Sequence, residues 1–398
     1  MDGTTSMWVD GANGLTARWV AALDGERDVV VSGACVWPLL ALLASGADGD
    51  GRDELDAAIG ISGDDGVDAA IELVSVVRAS PCASAAMGMW VTERIGLRPE
   101  WASRLPAGIV EALTGDATVD QDAVDRWASE QTDGIIDSCP VSVGPATEVV
   151  LMSAMLVRAT WVQRFVDGNG QWTSGRGGSA LSVPCLSQST HDLRTAAVIE
   201  HGAGVYGRFV CAGTDDIDVH LVSGDLDSTA AQVVAAGIAA IGAPHLAVLA
   251  RDLPVGTVAG CLQIGEVSGP DGRDDLVVRL PRFDLAAKHD LLQLADIFGL
   301  RTVSDAGRGH IPGIADGPLA VGAAAQRIRA SFSREGFVAA AVTAMAMLSG
   351  AVMPTESHRH RRIAVIHDRP FGFLAVHRPT GLVLVAGWVV DPEGSPAG

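Results

Sequence analysis

Apolar residues along this chain change period repeatedly, and the changes mark out its elements. Residues 15–23 carry apolar side chains at helical spacing, and 37–45 continue helically, with Pro38 acceptable in a first turn. Helices are predicted over 53–58 and 67–77, and a strand over 85–92. A helix with early acidic residues follows over 120–138. The run 148–159 is strongly apolar, as expected of a strand in the centre of a sheet. Short strand patterns bounded by Gly and Asp recur over 196–221. An Ala-rich helix over 228–241, a strand over 276–285 and a helix over 288–298 come next. The tail gives strands 371–377 and 382–390 around an RPTG turn. No internal repeat and no Ser- or Pro-rich linker divides the chain, so one mixed α and β domain over 1–398 is expected.

One segment stands apart. Residues 333–347 read SREGFVAAAVTAMAM: a Glu-Gly pair, then very small residues. Taken alone it suits an Ala-rich helix, since Ala is the best helix former. Small apolar residues beside a Gly also enter a sheet at little steric or rotamer cost, which makes the segment a candidate moving part.

Composition narrows the function. Hydrophobic residues make up 48% and charged residues 19%, which fits a folded rather than a disordered chain. A net charge of -20 argues against binding nucleic-acid phosphates over a wide surface. Lys288 is the sole lysine, and this bias, with the Ala, Gly and Val richness, suggests a GC-rich genome. Cysteines at 35, 82, 139, 185, 211 and 261 form no CxxC pair, so buried free thiols in a reducing compartment are expected, with no metal and no cofactor. The apolar run 29–47 holds Ser32, Trp37 and Pro38 and reads as a buried core helix, not a membrane span. The N-terminus shows no basic region followed by an apolar core, which points to a cytoplasmic protein or leaderless export. Neither a G-x-S-x-G nucleophile setting nor a G-x-G-x-x-G run after a strand is present. HRHRR at 358–362 is the only basic cluster. It suits a solvated loop charge better than a polyanion site, a processing site or a His358/His360 metal pair.

Six motifs, in order, resemble the serpin family over about 15–392. They are VSGACVWPLLALLASGADGDGRDEL (31–55), WASEQTDGII (127–136), LMSAMLVRATW (151–161), VPCLSQ (183–188), LPRFDL (280–285) and DRPFGFLAVHRPTGLVLVAGWVVDP (368–392). Glu335, Gly336, Ala339, Ala340, Ala341 and Thr343 also match the family's hinge pattern E-G-x-x-A-A-A-x-T. The resemblance is to a bacterial-type, monomeric member. It implies an α+β fold of three sheets and eight to nine helices, with an exposed reactive loop, here 337–362. It implies a protease inhibitor rather than an enzyme, with a target serine protease as partner. The protease cuts the loop and forms an acyl-enzyme, and the cut loop enters the main sheet as a new strand.

The resemblance also assigns roles. Ser32, Cys35, Ser153 and Gln326 fall on the polar cluster beneath the opening sheet, with Cys35 a weaker donor than the usual Ser. Trp161 and Arg282 fall where the loop first enters. Phe337 stands where inhibitory members usually carry a small residue, so overpacking by about 1–3 kcal/mol is expected unless a roomy apolar pocket receives it. Arg334 and Val338 replace commonly acidic residues. These departures leave a non-inhibitory binding module or protease substrate as the alternative. The reactive bond lies about fifteen residues past the hinge Gly and roughly ten before the Pro-Phe pair in the family. Counting forward gives Gly350–Ala351; counting back from Pro370 gives Arg359–His360. The first suits a protease with a small or apolar primary pocket, the second a trypsin-like one.

Overall fold

In the computed structural model the described residues are 3–92, 95–105, 108–131, 134, 142–144, 147–173, 180–269, 272–305, 307, 310–338 and 358–393. Three sheets and eight α-helices organise them. The six strands of the main sheet run, in spatial order, Phe283–Asp290, Ala323–Phe332, Gly336–Val338, Val149–Thr160, Ala83–Thr92 and Val110–Leu113. A second sheet of seven strands contains the two C-terminal ones, Phe371–His377 and Leu382–Val389, every residue of which is buried. The third sheet runs Val258–Ala259, Leu262–Gly269, His358–Ile366, Asp275–Pro281, Leu181–Thr190 and Val166–Trp172. The α+β architecture expected from the sequence is therefore observed.

The helix Gly33–Ala44 is buried along its whole length between the main and second sheets, which explains its apolar character on every side. No helix among the described residues is long and apolar enough to cross a membrane. Its start corrects the sequence reading. Ser32 caps it, accepting from the Cys35 amide at 3.2 Å, so Pro38 sits in mid-helix rather than in the first turn. Gly33 is required there by space: a Cβ would stand 2.2 Å from Thr16 Oγ1 on the helix Gly3–Ala22.

Three further expectations change. The strand expected over 276–285 is two strands in different sheets, Asp275–Pro281 and Phe283–Asp290, with the change of sheet at Arg282. The helix expected over 288–298 is the end of the second of these, then a 3-10 turn and a single α turn closed by Gly299 at φ 66. Lys288 is held in the ladder opposite Arg327, which overrides local helix preference. The basic run 358–362 is not loop but the start of His358–Ile366. Apolar residues such as Ile363 and Val365 bury in the third sheet, and Arg362 pairs with Asp275 at 2.6 Å.

Two histidines make the fold sensitive to acid. His367 is buried and His220 half-buried, and burial lowers both to about 3. Neither ring nitrogen of His367 has a partner. Both rings stay neutral in the fold, whereas the unfolded chain takes up protons near pH 6.5. Their contribution is thus intact above that pH and is lost as pH falls toward 3. At pH 5 each costs about 2 kcal/mol relative to pH 7.5. Urea unfolding at the two pH values should show a loss of about 4 kcal/mol, and replacing both histidines by Gln should remove about that much of the difference.

Candidate functional site

Two strands of the main sheet run parallel and touch at one end only. Ala323–Ala325 pair directly with Val150–Met152. At the other end Gly336–Val338 lies between them, antiparallel to both. Gly336 faces Thr160, and Phe337 faces Ala159 on one side and Phe332 on the other. The chain reverses between Phe332 and Gly336 in a tight turn. Ser333 closes it, its amide bonding Gly336 O at 2.9 Å and its hydroxyl oxygen accepting from the Gly336 amide at 3.2 Å. Gly336 is not at positive φ, so backbone freedom is not what it supplies. Space is: a Cβ would stand 2.1 Å from Ala159 O.

Phe337 is 0% exposed. Its ring lies 5.9 Å from Phe373, which stacks on Phe283 at 5.0 Å. Phe283 meets Phe332 at 5.6 Å, and Phe332 meets Trp161 at 4.7 Å. An aromatic pocket thus receives the large side chain expected to overpack. In this conformation Phe337 is packed in the core without being excluded from it. Phe337→Ala should therefore lower stability by about 3–5 kcal/mol, seen in the first urea transition of the uncut protein. A change below about 1 kcal/mol would mean the ring is not seated.

Trp161 and Arg282 are both at this hinge. The Trp161 amide donates to Glu335 O at 3.0 Å, and its indole Nε1 to Ser333 O at 2.9 Å. Arg282 bonds Asp167, and Arg334 approaches the same carboxylate at 3.5 Å. Arg334 also pairs with Glu335 at 2.5 Å, and that carboxylate raises its pKa. The Arg334 departure from the family pattern thus has a partner set of its own. Sequence reasoning missed Asp167, Phe373 and Ser333. Only Ser333, a hydroxyl residue before a tight turn, left a local signal.

The four residues assigned beneath the sheet do come together. Gln326 brackets Ser32, accepting from its amide and donating to its carbonyl, both at 2.9 Å. The Ser32 hydroxyl donates to Leu384 O at 2.6 Å, tying the helix start to the second sheet. Burial pushes the Cys35 thiol up to about 12, with its neighbours Ser153 and Ser32 acting against the rise. The Ser153 hydroxyl is buried and has no hydrogen-bond partner of normal geometry.

Residues 15–194 and 263–392 match the family model described as Serpin (serine protease inhibitor). The chain belongs to the serpin family. It is similar to Serpin-Z2A of Oryza sativa subsp. japonica, 23% identical over 410 residues that cover 94% of this chain and 93% of that one. It is also similar to the Putative non-inhibitory serpin-10 of the same plant, 30% identical over 187 residues, 44% of this chain and 47% of that one. In fold it resembles the thermophilic serpin Tengpin in the native state, with TM-score 0.72, 16% identity, and 98% and 95% of the two chains covered. Both named sequence relatives are plant proteins and lend no support to the bacterial-type expectation. The general function of serpins is protease inhibition rather than catalysis, and it implies a target protease as partner.

Strands, Gly336–Val338 and His358–Ile366, occupy both ends of the segment 337–362 that the sequence resemblance assigns to a reactive loop. Ala339, Ala340, Ala341, Thr343, Gly350 and Ala351 lie outside the described residues. Arg359 and His360 do not. They are laddered to Ser268 and Val267, and His360 is buried. Presented this way they are poor bait, because a protease must draw its substrate into an extended, accessible strand.

Proposed function

We propose that this chain is a suicide-substrate inhibitor of a serine protease, trapping the acyl-enzyme by drawing its cut loop into the main sheet. The observation that supports this best is the hinge strand, already paired on both sides between two parallel neighbours. Continuing both registers past Val338 sets Ala339 opposite Val157 and Ala330, and Ala341 opposite Met155 and Ile328. These small side chains then enter the sheet with no rotamer entropy to lose. Thr343 comes opposite Ser153 and Gln326, on the buried face where the Ser153 hydroxyl has no partner. A hydroxyl arriving there satisfies a group whose isolation is costly. Beyond Thr343, growth of the strand displaces the direct ladder of Ala323–Ala325 with Val150–Met152.

Gly350–Ala351 is the bond we assign. The protease serine attacks the Gly350 carbonyl, the amine of Ala351 leaves with a proton, and an ester joins Gly350 to the enzyme. Insertion then carries the ester away before water cleaves it. The small and apolar residues 347–351 suit a subtilisin- or elastase-like primary pocket.

Incubation with a panel of serine proteases tests this. The expected product is an SDS-resistant band of one protease plus one inhibitor, with the released peptide beginning at Ala351. Cleavage at every enzyme tested, with no such band, would favour a non-inhibitory substrate or binding module.

A further inference from the structure

The turn that precedes Gly336–Val338 is gripped from one short segment. Ser333 O accepts from the Trp161 indole at 2.9 Å, Arg334 O from the Phe165 amide at 3.0 Å, and Glu335 O from the Trp161 amide at 3.0 Å. Two residues past Phe165 stands Asp167, in the third-sheet strand Val166–Trp172. Its carboxylate takes two guanidiniums. Arg282 hydrogen-bonds it, and Arg334 Nη1 lies 3.5 Å from its Oδ2. Arg282 is itself fixed at its backbone. Its amide donates to Pro184 O and its carbonyl accepts from the Glu393 amide, both at 3.0 Å.

Arg334 has two acidic neighbours, and they act differently. Glu335 pairs with it inside the turn, so that contact moves with the turn and ties it to nothing else. The Glu335 side chain is also 45% exposed, where an ion pair contributes little. The Asp167 side chain is 13% exposed, where charge is screened far less. Among the described residues, Asp167 is the carboxylate that joins the turn to a strand outside it. Its neutralisation would also leave Arg282 and Arg334 facing each other, so repulsion is added to lost attraction.

We propose that Asp167 is a positioning residue for loop insertion: through Arg334 it holds the turn, and with it Gly336–Val338, in register in the main sheet while the chain is uncut. The role in insertion rests on the reading above; the holding does not. Hydrogen exchange on the uncut protein tests the holding. In Asp167→Asn the amides of Phe337 and Val338 should exchange about tenfold faster, measured against amides of 371–377 that report global stability. Arg334→Gln should do the same, and the double variant should add little to either single change. If exchange at 337–338 is unchanged in Asp167→Asn, or changes only in step with 371–377, the proposal is overturned and Asp167 is a scaffold residue acting through Arg282. Unchanged exchange in Arg334→Gln would overturn it as well. The second measurement uses a serine protease that wild type traps. Asp167→Asn should be cut at the same bond and give several-fold more cleaved protein per trapped complex. Trapping at the wild-type yield would overturn the role in insertion. A wild type that traps no protease would sink the insertion reading and that role with it, and exchange would still decide whether Asp167 holds the strand.

Discussion

Cutting the chain within residues 348–357 is expected to raise the unfolding midpoint by about 10 °C. The estimate follows from the ladder. Residues 339–347 exchange water for strand partners on both sides, a net gain of about one hydrogen bond per residue at about 1 kcal/mol each. For a domain of this size each kcal/mol moves the midpoint by about 1 °C. Calorimetry before and after limited proteolysis, with mass spectrometry to locate the cut, is the measurement. An unchanged midpoint would mean that the hinge strand is a fixed three-residue element.

The second large effect is expected at Thr343. The extended register brings this residue to the buried cluster of Ser32, Cys35, Ser153 and Gln326. Thr343→Arg sends a guanidinium into a site with no acidic residue among those four. An unpaired buried charge costs several kcal/mol, enough to halt growth of the strand at that point. The variant should be cut at the same bond as wild type yet yield cleaved protein in place of the SDS-resistant complex. Its cut form should lose most of the midpoint gain. Thr343→Ser is the control and should retain both. If Thr343→Arg trapped protease as well as wild type, the inserted face would have to be the other one.

Much of this was legible in the sequence, and unevenly so. The strand 148–159 and the two C-terminal strands announced themselves through unbroken apolar runs, because strands covered on both faces need no polar alternation. The cluster beneath the sheet was found only through family resemblance. Ser32 and Gln326 are far apart along the chain, and neither has a local pattern that marks it. The reading failed where tertiary pairing overrode local preference. At 288–290 helix-compatible residues are held as strand by the ladder to 325–327. At 358–362 the basic run read as loop is held as strand: His358 and Arg359 stay exposed, while His360 is buried and Arg362 pairs with Asp275 in the third sheet. For the same reason the sequence left open whether Phe337 overpacks or fills a pocket. Its neighbours include Phe373 and Ala159 on other strands, so no window of sequence around residue 337 contains them all.

The seated hinge bears on timing. Adding a strand ordinarily begins with an uphill nucleus, the first residues fixed before any ladder rewards them. Residues 336–338 have already crossed that barrier while the chain is whole. On the proposed insertion, only elongation remains after a cut, one residue at a time along a template set in register. A race against hydrolysis of the ester would then start from the second lap.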